Sequence, residues 1–191
     1  MKERSVLPVA LIAALFAADL ARAQIDLTPI PTTAELDGVN QSYVTFRDGG
    51  RELSYYPPQS WRLNGSGPRL TLVPGNTRNT EAQIKVESVT TVIPIGDTTV
   101  PKYVAAAQQS LPKGTLNLQV LGSKVNPLKI CGHDTLAVEL QYEAFGTVLR
   151  SQFLYLNRDR EQWIFQFTAP ANSFENSFEP FRVSLYSLTG L

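Results

Sequence analysis

The chain has 191 residues, 43% of them hydrophobic and 18% charged, with one Cys and one His. Seventeen Lys and Arg balance seventeen Asp and Glu, so no global field favours nucleic acid or an anionic membrane as a partner. With Cys131 the single thiol and His133 the single imidazole, no internal disulfide can form, and any Ser-His-Asp scheme would stand on one residue.

Lys2 and Arg4 precede a nearly continuous apolar run at 6–18, and Ala21-Arg22-Ala23 offers the small-x-small pattern cut by signal peptidase. Residues 1–23 read as a cleaved secretory signal. Its apolar run is shorter than the roughly 20 residues that cross a bilayer, and no later stretch is longer, so no membrane anchor is expected. No Cys stands directly after the cleavage site, where Gln24 follows, so no lipid tether is expected. The protein is expected to be exported, to the periplasm or beyond a bacterial cell.

Residues 24–41 contain Pro29, Pro31 and several Thr with no period of 2 or 3.6 residues, and read as an extended leader. Residues 42–191 read as one domain. Its strands come quickly. A first hairpin places Val44 and Phe46 on one side of the turn Asp48-Gly49-Gly50 and Leu53, Tyr55 and Tyr56 on the other; Pro57 and Pro58 end it, with Trp61 on a connecting segment. After a loop at 64–68, strands are expected at 69–73 and around Ala82, Ile84 and Val86.

Pro101 opens a helix in which Val104, Ala107 and Leu111 recur at helical spacing, stopped by Pro112 and Gly114. Leu116, Leu118 and Val120 predict a half-buried strand, as do Leu136, Val138, Leu140 and Tyr142. Residues 148–156 and 162–168 flank a polar turn and form a hairpin with Trp163, Phe165 and Phe167 on one core face. Finally Phe174, Phe178, Phe181, Leu185 and Leu188 make an apolar helical stripe. Pro180 leaves two possibilities: a kink within that helix, or a helix beginning near Glu179.

The stretches Leu53-Ser54-Tyr55-Tyr56-Pro57-Pro58-Gln59-Ser60-Trp61, Pro101-Lys102-Tyr103-Val104 and Trp163-Ile164-Phe165-Gln166-Phe167-Thr168-Ala169-Pro170, the last leading into a Phe-rich helix, carry a resemblance. Over about 43–190 the chain resembles the PsbP/Mog1 superfamily, including its exported bacterial DcrB-like members. The resemblance implies an α+β fold, an antiparallel sheet of about six or seven strands with helices packed on its faces, and binding or assembly roles in place of catalysis. No binding or metal residue of the family has a matching motif here.

The residues themselves carry little chemistry. Cys131-Gly132-His133-Asp134 is the one cluster of metal-capable types, but a closed zinc site needs four ligands and a catalytic one usually three, and Gly132 favours a turn. Ser66 lies between Gly65 and Gly67, which is not a nucleophile elbow, and reads as flexible loop. Glu139 and Glu143 stand roughly 13 Å apart along one strand, beyond glycosidase spacing, and read as a solvated face. Arg158 to Glu161 mix signs at a turn, as a solvated tip would. The expectation is therefore no catalytic site, no metal, no cofactor and an unidentified ligand-binding residue set. The function expected is non-enzymatic binding of an envelope or extracellular protein partner or help in envelope assembly. A small-molecule or metal carrier using a sheet-helix cavity is the alternative.

Overall fold

The computed structural model describes residues 25–191 apart from 37, 49 and 76; the signal read at 1–23 lies outside the described residues. At the centre is β10 (Glu161–Pro170), in which Trp163, Phe165, Phe167 and Ala169 are buried while Gln162, Ile164, Gln166 and Thr168 between them are half-exposed. Alternation of this kind builds a strand with one sealed face and one partly wet. β10 pairs antiparallel with β9 (Thr147–Arg158) across a turn where Asp159 takes φ 51°, and with β6 (Glu81–Ser88) on its other side.

The sheet extends to seven strands in the order β4-β5-β6-β10-β9-β8-β7, adding β4 (Trp61–Ser66), β5 (Arg69–Pro74), β7 (Leu116–Val125) and β8 (Thr135–Ala144). A second antiparallel sheet holds β1 (Asp26–Leu36), β2 (Val39–Asp48) and β3 (Arg51–Tyr55). Helix α1 (Val100–Gln109) starts with Pro101, whose missing N–H costs nothing in a first turn. Helix α2 (Phe174–Ser184) closes the chain with a 3-10 turn at Leu185–Ser187. The architecture is α+β, antiparallel sheets with two helices packed on them.

The layers cover the large sheet diagonally. On one face, α2 and the small sheet seal a core that includes Phe46, Tyr55, Leu70, Ile84, Trp163, Phe165, Phe167 and Phe181. On the other, α1 lies over β8 and the neighbouring part of β7 and reaches Tyr155 of β9 through Tyr103, in a cluster with Ala107, Leu140, Tyr142 and Phe153. Between them they leave two half-faces open: over β6 and β10 beside α1, and over β7 and β8 opposite it.

Four expectations change. The leader is extended, but residues 26–36 are paired to β2, and Ile25 and Leu27 are 1% exposed, because β1 crosses the β4–β5 hairpin where Leu27 N donates to Gly67 O at 2.6 Å. The loop at 64–68 is the end of β4 and a tight turn, pinned on its other side by Val86 N to Pro68 O at 2.9 Å. Gly65 is required there: a Cβ would meet Leu27 O at 2.2 Å. Trp61 begins β4 and stacks near Phe181, centroids 6.4 Å apart. Of the two possibilities for Pro180, the structure takes the helix that runs through it; the residue is exposed, so water can reach the carbonyl its ring leaves unpaired. The fourth change, in β7, bears directly on function.

Candidate binding surface

The open half-face beside α1 is a groove of about 720 Å³. Its floor consists of the half-exposed rows of β6 and β10: Gln83, Lys85 and Glu87 beside Gln162, Ile164, Gln166 and Thr168. Its wall is α1 with Tyr142, Leu149, Phe153 and Tyr155 beneath it, and Phe145 stands at one end. The charges are mostly spent within the floor, since Lys85 pairs with Glu87 and Gln83 donates to Glu81.

The wall is held rigidly. Tyr103 donates to Ile93 O at 2.7 Å, and Asn157 Nδ2 donates to Ile93 O at 2.6 Å and to the Tyr103 oxygen at 2.7 Å. Burial raises the Tyr103 phenol above its ordinary range, opposed by the Asn157 bond. Below, Tyr142, Ser151 and Thr168 form a hydroxyl chain at 3.0 and 2.6 Å. Among the residues lining the groove are amides, hydroxyls, the Lys85–Glu87 pair, Glu81 and Arg69.

The second surface is the sheet edge. Leu116, Leu118 and Val120 are expected to be half-buried, yet they are 61%, 39% and 45% exposed, and Leu121 is exposed with them. β7 is the last strand of its sheet, no strand pairs with its outer edge among the described residues, and α1 covers it only in part: Val125 joins the α1 cluster while these side chains stay open. Beside it, the β8–β9 turn lifts Phe145, φ 53°, to 84% exposure, with Val148 also exposed. Sequence patterning missed this patch because alternation reports a strand, not whether a layer covers it. Phe145 next to Gly146 in a tight turn was the available signal.

The remaining candidates do not converge. Ile130 and His133 exchange both backbone bonds, at 3.2 and 2.9 Å, around Cys131 (φ 50°) and Gly132 (φ 79°), so the cluster is a tight turn as the glycine indicates. Cys131 Sγ donates to Leu188 O at 2.7 Å, and local desolvation holds the thiol above its usual range. No group of three or more His, Cys, Asp or Glu side chains able to hold a metal ion occurs among the described residues. Ser66 ends β4 at the hairpin turn, with no imidazole beside it: His133 is in the Ile130–His133 turn.

Glu139 is not a solvated carboxylate. It pairs with Arg150, which also binds Glu175 at 2.8 Å and lies 4.5 Å over the Phe174 ring. Glu143 accepts from Asn117 Nδ2 at 3.0 Å. At the β9–β10 turn Arg158 reaches Asp159 at 3.9 Å, while Glu161 is buried and approached by Arg51 at 3.8 Å.

No family model matches the sequence, and no curated relative does. Solved structures do match. CyanoP, the cyanobacterial PsbP of Synechocystis sp. PCC 6803, is 9% identical with a TM-score of 0.54, covering 73% of this chain and 86% of its own. LpqN of Mycobacterium tuberculosis, described as involved in cell envelope biogenesis, is 12% identical over 84% of this chain and 90% of its own, TM-score 0.49. A Pseudomonas aeruginosa protein of unknown function is 15% identical over 83% and 96%, TM-score 0.46. The CyanoP likeness, over a central antiparallel sheet with helices on it, establishes that this chain has a PsbP-like fold.

Proposed function

We propose that this is an exported, non-enzymatic domain, beginning after a signal cleaved behind Ala23, that binds a protein partner and helps assemble an envelope complex. No helix among the described residues is long and apolar enough to cross a membrane. The observation that carries the reading is the exposed edge strand β7, where Leu116, Leu118, Val120 and Leu121 stand in water and Lys124 is the one charged residue. An uncovered apolar strand edge is a template for an added strand: its main chain supplies affinity and its side chains specificity.

The test is affinity capture from an envelope fraction with the protein and its Val120→Lys variant side by side. The reading expects a partner recovered repeatedly by the first and lost with the second, while circular dichroism and melting temperature stay unchanged. A partner captured equally by both would move the binding surface elsewhere, and repeated recovery of none would sink the reading. The groove beside α1 favours a second reading, a small-molecule carrier, since sheet-helix clefts are common ligand sites. Native mass spectrometry of protein purified without chelator would then detect bound mass, and bare apoprotein would retire the idea.

A further inference from the structure

We infer that one partner of β7 is β7 of a second copy, the two strands running antiparallel about a two-fold axis near Val120 so that two seven-stranded sheets join edge to edge. The inference rests on reading β7 as a docking edge and names what docks there.

The argument is one of self-complementary charge. The register Leu116↔Glu143, Gln119↔Gln141, Gly122↔Glu139 and Lys124↔Ala137 puts these β7 residues on the face that carries the three acidic or amide side chains of β8. At one end of that face, Lys124 is exposed and has no acidic partner among the described residues. At the other, Glu143 has no cation beside it among the described residues, and Asn117 Nδ2 draws its carboxylate towards β7 at 3.0 Å. Glu139, midway, is already held by Arg150 and does not compete.

A two-fold perpendicular to the sheet reverses the strand and keeps the face. Lys124 of each copy then falls opposite Leu116 of the other, one strand away from Glu143. Two strand spacings separate their Cα atoms by roughly 10 Å, which extended Lys and Glu side chains span. The symmetry makes the pair twice, as an isologous interface requires. On the opposite face Val120 meets its own copy at the axis, with exposed Leu118 and Leu121 nearby to be covered. The irregular register near Asn117 and Leu121 interrupts the outer ladder, so the pairing is reversible and concentration-dependent in place of obligate.

Sedimentation velocity of the purified protein as its host processes it, without other proteins, from about 1 to about 500 μM, tests the inference. A reversible dimer is expected. Lys124→Glu and Glu143→Lys should each raise its Kd about tenfold, since each replaces two exposed attractions by two repulsions. The double reversal should return Kd to within about threefold of the starting value. All variants are checked for unchanged circular dichroism, so lost association is not lost fold. A monomer at the highest concentration overturns the inference, as does a dimer indifferent to the single reversals or not restored by the double. Because Val120→Lys capture reads any β7 partner whereas sedimentation reads only self-pairing, a monomer that still loses its partner with Val120→Lys refutes the second copy and leaves the docking edge standing.

Discussion

The two flanks of the seven-stranded sheet are built from alternate residues of the same strands and meet different fates. On the α2 flank, Phe167 lies among Phe174, Phe178, Phe181 and Trp61, with ring centroids 5.3 to 6.4 Å apart across the cluster. On the α1 flank, the neighbouring Gln166 and Thr168 line an open groove, and at the far edge β7 is only partly covered by α1 and leaves Leu116, Leu118, Val120 and Leu121 exposed. The difference teaches where selection for stability and selection for binding can act separately. A two-layer core is completed on one side, and the uncovered half of the other side is free to vary without unfolding the protein.

The sharpest break of that contrast is Phe167→Ala. It should lower unfolding free energy by about 3–5 kcal/mol in urea titration, because four rings lose a common neighbour and cannot all collapse on the space. Next comes Gly65→Ala. The new Cβ would sit 2.2 Å from Leu27 O and 3.0 Å from Pro29 Cδ, and a backbone oxygen cannot swing aside. The expected cost is about 1–3 kcal/mol, with hydrogen exchange accelerated at the Leu27 amide, whose bond to Gly67 O would open as β1 lifts. If exchange there is unchanged, β1 is not held by this crossing.

The contrast was legible in part from the chain alone. Trp163, Phe165 and Phe167 announced a sealed face because aromatic residues at period two leave one side no polar alternative. The Phe174 to Leu188 stripe likewise pointed to a covering helix, although Pro180 hid its continuity, since nothing local reveals that the proline faces solvent. The pairing of 26–36 was illegible: two prolines and no alternation mask a strand that is positioned by Gly65 from another hairpin. The exposure of β7 was illegible for a related reason. Its Leu and Val alternate as a covered strand would, and only the order of strands shows that it lies at an edge that α1 covers in part. Sheet order, and hence the candidate surface, is a non-local property.

A smaller effect reads both flanks, Tyr55 on the sealed side and Tyr155 beneath α1. Burial pushes the phenols of Tyr55 and Tyr155 well above the ordinary range, opposed at Tyr55 by the Ser184 bond and reinforced at Tyr155 by Glu87 and Tyr103. The unfolded chain ionises tyrosine near pH 10, whereas the folded one keeps these protons, so their contribution is complete below about pH 10 and declines as pH rises beyond it. The expected slope is about 1.4 kcal/mol per pH unit for each residue. Tyr55→Phe should remove one such contribution, about 1.4 kcal/mol per pH unit, from the decline seen in urea titrations across the alkaline range. At neutral pH it should cost only about 1 kcal/mol, since Ser184 Oγ still donates to Phe181 O at 2.7 Å.

The smallest expected change in stability belongs to the open side and is the most informative about function. Phe145→Ala removes a ring of which 84% already faces water, so unfolding free energy should shift by no more than about 0.5 kcal/mol. An apolar ring that contributes nothing to the fold, placed where the groove ends beside an exposed strand, is otherwise a solubility burden. If it serves binding, Phe145→Ala should weaken capture of the partner by about tenfold or more at unchanged melting temperature, as an aromatic anchor near the centre of an interface does. Loss of stability without loss of capture would reverse the assignment, making Phe145 part of the core's closure and leaving β7 alone to account for binding.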